Sequence, residues 1–156
     1  PCLIGEMVKK AGMTLAVAES CTGGLVGKLV TDIPGSSAWF RGGIVAYSNL
    51  AKRRLAAVGR SVLRKHGAVS EECACALARG VRKALKAEIG LGITGIAGPS
   101  GGSEEKPVGL VWAAVAVRGK VVAQKFLFSG QRSQIRERAA MASLDLVRRH
   151  LRASHG

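Results

Sequence analysis

At 156 residues the chain has room for one well-buried core, and 47% hydrophobic content with only 4% aromatics makes that core mostly Val, Leu, Ile and Ala. Its 24 Lys and Arg against 10 Asp and Glu leave a net charge of +14, a field that draws in phosphorylated small molecules or nucleic acid. No apolar run reaches membrane-spanning length, the 21 glycines follow no collagen-like or low-complexity period, and no repeat or linker divides the chain, so one domain over 1–156 is expected.

Taken from the start, residues 3–11 read as a helix that Gly12 closes. TLAVAE at 14–19 is a buried strand. From 22 to about 32 the residues Leu25, Val26, Leu29, Val30 and Ile33 recur at helical spacing until Pro34 and Gly35 end the run. GGIVAYS at 42–48 is a second strand, after which Ser48 or Asn49 can cap a short helix carrying Lys52 and Leu55. The run SEECACALARGVRKAL from Ser70 is the clearest helix, with Glu71 and Glu72 suited to its positive start. IGLGIT at 89–94 is a third strand leading into the loop GIAGPSGGSEEKP. Strands at 108–117 and 120–128 meet at Arg118–Gly119, a tight two-residue hairpin. A last helix from about 131 to 151 carries Ile135, Ala139, Ala142, Leu146 and Leu151 near one face.

Three strands joined through helices favour parallel pairing, and the closing hairpin makes one strand antiparallel. The expected fold is α/β, a three-layer α/β/α sandwich around a mixed, mostly parallel five-stranded sheet. Ligands of such sheets bind beyond the carboxyl ends of the strands. The polar loops at 19–24, 47–52 and 94–102 all fall at such ends.

Cys2, Cys21, Cys73 and Cys75 form no paired metal-ligand motif, and a disulfide framework is not expected in a domain of this size. Cys73 and Cys75, two apart on a helix, face different sides. The N-terminus lacks the basic start, apolar run and cleavage site of a secretory signal, so a cytoplasmic location is the default. The chain does not begin with Met, which points to a processed or truncated sequence.

The chemistry centres on AESCTGG at 17–23, where a strand gives way to a helix. Ser20 is the favoured nucleophile on that turn, although a Ser or Thr there can equally serve only as a helix cap. Cys21 is the rival, since a thiol at a helix N-terminus has a lowered pKa. Thr22 is the expected cap, and Gly23–Gly24 can bring backbone N–H groups close enough for an oxyanion hole, or simply allow a close-packed helix start. A serine needs a base. His155 lies at the terminus, His150 on the last helix away from the strand ends, and His66 in a loop with nothing around it to argue for the role. Lys52 remains: burial and the adjacent Arg53 and Arg54 would lower its pKa and let a neutral amine take the serine proton. Its alternative is a solvated helix residue. Tyr47 would pack its ring in the core with its hydroxyl toward the site, as proton relay or hydrogen-bond donor, its alternative being an ordinary core-edge residue. The loop TGIAGPSGG at 94–102 resembles a nest of backbone N–H groups suited to phosphate, though it matches no Walker A or Rossmann pattern. Arg132, at the start of the last helix, favours an anion.

In their order, AESCTGG, DIPGSSAWF, VAYSNLAK, HGAVS, TGIAGPSGG and EKPVG resemble the C-terminal domain of the competence/damage-inducible CinA family and its standalone members, the bacterial nicotinamide mononucleotide amidohydrolases. The resemblance covers essentially the whole chain. It implies hydrolysis of the carboxamide of nicotinamide mononucleotide to nicotinic acid mononucleotide and ammonia, in pyridine-nucleotide salvage. It further implies Ser20 as nucleophile with Lys52 and Tyr47 as partners, and Thr94 with the following loop (Gly95, Gly98) in substrate binding. Cys21, Thr22, Gly23, Gly24 and Arg132 complete the expected substrate site. No metal and no cofactor are implied, and a homodimer is. One departure is Leu50, where the family pattern SNEAK leads one to expect a carboxylate. Some members are fused to a separate N-terminal pyrophosphatase-type domain. Two other functions fit parts of the sequence. A catalytically silent nucleotide-sensing domain would keep the pocket without turnover, and a nucleic-acid-binding module would use the charge, although the few aromatics offer little for base stacking.

Overall fold

Two apolar runs, LAVAE and IGLGITG, make the centre of the sheet as β1 (Leu15–Glu19) and β3 (Ile89–Gly95), buried along almost their whole length as strands covered on both faces are. The computed structural model describes residues 2–153; the Cys2 side chain and His155 lie outside the described residues. β1 and β3 pair in parallel, with Leu15 opposite Ile89 and Glu19 opposite Ile93. β2 (Phe40–Val45) pairs in parallel with the other edge of β1. β4 (Leu110–Val117) runs antiparallel to β3, and β5 (Lys120–Leu127) antiparallel to β4. The order is β2-β1-β3-β4-β5, so the closing hairpin reverses one strand, as expected. Arg118 and Gly119 at its tip both take positive φ, 48° and 82°, the backbone of a tight primed turn.

Helices cover both faces. On one lie α1 (Cys2–Lys10), α2 (Leu25–Thr31) and α6 (Arg132–Ala153), and on the other α3 (Asn49–Leu55), α4 (Arg60–His66) and α5 (Glu71–Ala84). The alternation of side chains along each strand decides what each face holds. Leu15, Val17, Ile89, Leu91 and Ile93 pack with Val8, Val26 and Ile135 of the first group, whereas Ala16 and Ala18 pack with Cys73, Leu77 and Val81 of α5. The second face is built from small residues, so α5 lies close against the sheet: a Cβ on Gly90 would fall 2.0 Å from the Ala78 carbonyl oxygen.

Several boundaries differ from expectation. α2 starts at Leu25 rather than 22, because Gly23 and Gly24 take positive φ (59° and 96°) and hold the chain in a turn. β2 begins at Phe40 and ends at Val45, earlier than 42–48 on both sides. The helix α4 has no counterpart among the expected elements; among the described residues it has no side-chain cap, and only Gly59 and Gly67 flank it as punctuation. Among the described residues no helix is long and apolar enough to cross a membrane.

Candidate active site

The carboxyl ends of β1, β2 and β3 lie side by side and deliver the three polar loops to one end of the sheet. Ser20 follows the last residue of β1, and its N–H donates to the Ile93 carbonyl at 3.0 Å, which ties the turn to β3. Glu19, only 1% exposed, folds its carboxylate back under the turn and accepts from the N–H groups of Gly24 (3.1 Å), Val26 (3.1 Å) and Gly27 (2.8 Å). These are the amides that the first turn of a helix leaves without partners, and an anion there suits the helix dipole. The cap of α2 is therefore Glu19, not Thr22, whose buried hydroxyl has no partner among the described residues. From α6, Arg136 donates to the carbonyls of Cys21 (3.1 Å) and Thr22 (2.9 Å), so the turn is gripped from outside as well.

Gly23 and Gly24 sit behind Ser20. Their N–H groups go to the Ser20 carbonyl and to Glu19, so they are not open for an oxyanion. The N–H groups of Cys21 and Thr22 have no acceptor oxygen among the described residues. Burial pushes the Cys21 thiol up to about 11, more than its own backbone N–H and nearby Lys52 and Arg136 pull it down, which corrects the expectation of an activated thiol.

Ser48 caps α3, its hydroxyl accepting from Ala51 N–H at 3.0 Å, and the first turn of that helix aims Lys52 back at β1. Lys52 is 2% exposed. Its Nζ lies 2.9 Å from Ser20 Oγ, 2.9 Å from the Ala46 carbonyl oxygen and 3.2 Å from the Tyr47 carbonyl oxygen. A neutral amine has two N–H bonds and one lone pair. The two carbonyls can only accept, so the lone pair of a neutral Lys52 is left facing the serine hydroxyl. Burial lowers the Lys52 pKa below its ordinary value. Thiolates at Cys73 and Cys21 would raise it, but both thiols are themselves pushed up to about 11 and carry no charge at neutral pH.

Ser20 and Lys52 open onto a cleft of about 210 Å³, which Cys21, Tyr47, Thr94, Gly95 and Arg132 also line. Thr94 donates its hydroxyl to the Ala68 carbonyl at 2.7 Å. Arg132 reaches across the mouth, donating to the Gly98 carbonyl at 2.7 Å and to the Tyr47 hydroxyl at 3.0 Å. Tyr47 is 60% exposed, so its ring stands at the rim instead of packing in the core. Thr22, Gly23, Gly24 and Gly98 do not line the cleft, and the Gly98 carbonyl, held by Arg132, gives the 94–102 loop an acceptor where donors were expected. His66 is the last residue of α4, not a loop residue, and its Nδ1 lies 3.0 Å from Glu72. Leu50 is 52% exposed, and Lys52 is held without any side chain from that position.

Sequence reasoning missed Asn49 and Val69 in the lining, and the supporting roles of Glu19 and Arg136. Two of these had a readable signal. Glu19 is the one acid in a continuous apolar strand, and Arg136 falls one helical turn after Arg132.

A family model described as the CinA C-terminal domain matches residues 2–151. A Moorella thermoacetica protein that bears the name competence-damage inducible protein is 54% identical over 149 residues, 96% of this chain and 36% of the relative. A CinA-like protein of Kosmotoga olearia is 49% identical over 149 residues, with the same coverage of 96% and 36%. The chain thus spans about a third of the length of these curated relatives. A solved CinA superfamily protein from Klebsiella pneumoniae superposes with a TM-score of 0.94 at 30% identity, covering 97% of this chain and 95% of that one.

Proposed function

The chain belongs to the CinA C-terminal domain family, and from that premise we propose that it hydrolyses the carboxamide of nicotinamide mononucleotide, with Ser20 as nucleophile and Lys52 as base. The observation that carries this reading is the buried Lys52 amine 2.9 Å from Ser20 Oγ, with its other two neighbours able only to accept. In the reaction, neutral Lys52 takes the Ser20 hydroxyl proton as Oγ bonds to the carboxamide carbon. The N–H of Cys21, next to the nucleophile and without an acceptor oxygen among the described residues, is a candidate donor to the oxyanion that forms. Collapse breaks the C–N bond, and the Lys52 ammonium gives its proton to the departing nitrogen, releasing ammonia. Water then attacks the acyl ester and loses a proton to Lys52, which returns it to Ser20 Oγ as the acid product leaves. Arg132 at the mouth supplies positive charge for the substrate phosphate. A homodimer and a cytoplasmic setting are part of the same proposal.

The test is incubation of the protein with nicotinamide mononucleotide, following ammonia and nicotinic acid mononucleotide, with Ser20→Ala in parallel. Turnover by the parent chain that disappears in Ser20→Ala is the expected result. Thermal stabilisation by the mononucleotide without ammonia release would replace the amidase with a silent sensing domain.

A further inference from the structure

Five cations meet at a place the reaction does not use. Arg79, Arg82 and Lys83 on the last turns of α5, Lys86 just after it, and Lys120 at the start of β5 line a cleft of about 430 Å³, against about 210 Å³ at Ser20. Among the described residues no Asp or Glu lines it and none of the five forms an ion pair. Arg82 is held in place through its Nε, which donates to the Glu88 carbonyl at 3.0 Å. Cations at the end of α5 answer the negative end of its dipole, but Lys120 belongs to a different element and that explanation does not reach it. Between the charges the floor is apolar, formed by Ala87, Ala116 and Val121. At the rim, Gly119 offers no side chain, and a Cβ there would meet nothing within 4 Å.

The cleft lies at the far end of the sheet from Ser20. Lys120 pairs with Val117, and Val117 with Ile89 at the start of β3, whereas Thr94 lines the Ser20 cleft. Five strand residues at about 3.3 Å each separate Ile89 from Thr94, roughly 17 Å, so one ligand of mononucleotide size cannot fill both clefts. Five like charges around one concave apolar floor make a local positive potential that suits a polyanion. The volume falls within the range of roughly 300–1,000 Å³ common for small-molecule sites. A nucleic-acid backbone would instead call for a stripe of cations along an open face.

We infer that this cleft is a second ligand site that takes a nucleoside di- or triphosphate, the phosphates on the Arg and Lys side chains and the base over Ala87, Ala116 and Val121. The experiment is calorimetric titration of the whole chain with ATP, inorganic triphosphate and a short duplex DNA. The variants are Lys86→Glu/Lys120→Glu, the milder Arg79→Gln, and Arg132→Ala as a control at the other cleft. The inference requires that ATP bind, that inorganic triphosphate bind more weakly, and that the double charge reversal weaken ATP by about tenfold or more at an unchanged melting temperature. Arg79→Gln weakens it by a smaller factor, and Arg132→Ala changes it by less than about twofold. Absence of ATP binding overturns the inference. So does loss of ATP binding in Arg132→Ala but not in the double variant, which would place the nucleotide in the Ser20 cleft. Equal binding of inorganic triphosphate would reduce the site to an anion trap, and tighter binding of DNA through the same lysines would make it a nucleic-acid surface.

Discussion

At the scale of single residues, the proposed chemistry depends on a lysine kept out of water. Burial favours the neutral form of Lys52, so its proton leaves below the ordinary 10.5. The rising limb of kcat/KM against pH, which reports the base of the free enzyme, should therefore have its midpoint below 10.5. The same shift has a stability consequence. Between the folded pKa and 10.5 the unfolded chain holds a proton that the folded chain lacks, so the Lys52 contribution to stability rises with pH across that window, its penalty fully present below it, while the Cys21 and Cys73 thiols, raised from 9.0 to about 11, contribute a fall between those two values. Lys52→Met should abolish this rise, which denaturant titrations at several pH values would show; a rise that persists in the variant assigns it to another group. The variant should also lose about 10²–10⁴-fold in kcat. Because serine and lysine act on one proton, Ser20→Ala/Lys52→Met should be hardly slower than the worse single variant. Losses that multiply would mean that the two residues work separately.

At the scale of elements, α6 divides its first two turns between two tasks. Arg132 holds Tyr47 and the Gly98 carbonyl at the mouth, while Arg136, one turn later, grips the turn that carries Ser20. Arg132→Ala should raise KM for the mononucleotide by about tenfold with a smaller change in kcat, and Arg136→Ala should do the reverse. Steady-state kinetics on both variants checks the split; the same pattern in both would show that α6 acts as one structural support. The contact of α5 with β3 makes a separate stability prediction. A Cβ at Gly90 would meet the Ala78 carbonyl oxygen at 2.0 Å and Arg82 Cβ at 2.7 Å, so backbone must move. Gly90→Ala should cost about 2–3 kcal/mol, and a denaturation midpoint equal to that of the parent would contradict the close packing.

These elements also show what could be read in advance. Strands buried on both faces announce themselves as apolar runs, which is why β1, β3 and β4 were legible, and with them the strand ends where Ser20, Lys52 and Thr94 meet. A capping role is not legible in the same way. Thr22 and Glu19 are both suited by type to a helix start, and the positive φ of Gly23 and Gly24 decides between them by carrying Thr22 past the amides it would have bonded. The expected packing of the Tyr47 ring fails on parity: β2 ends at Val45, three residues before 48, and position 47 continues the exposed alternation of 41, 43 and 45 while Ala46 takes the buried place, which leaves the ring at the rim.

At the scale of the whole molecule, three parallel strands bring Ser20 and Lys52 to one end of the sheet, where Arg132 of α6 joins them, while the reversed hairpin leaves an apolar-floored cationic cleft at the other. The net charge of +14 favours capture of phosphorylated ligands at either end. The central claim is that the carboxamide carbon passes through an ester on Ser20. The most direct measurement is rapid quenching of the protein during turnover of nicotinamide mononucleotide, followed by peptide mass analysis. The nicotinoyl mononucleotide group is expected on the peptide containing Ser20, lost when hydroxylamine is added and absent in Ser20→Ala. The same acyl group on Cys21, or steady turnover by Ser20→Ala, would contradict it.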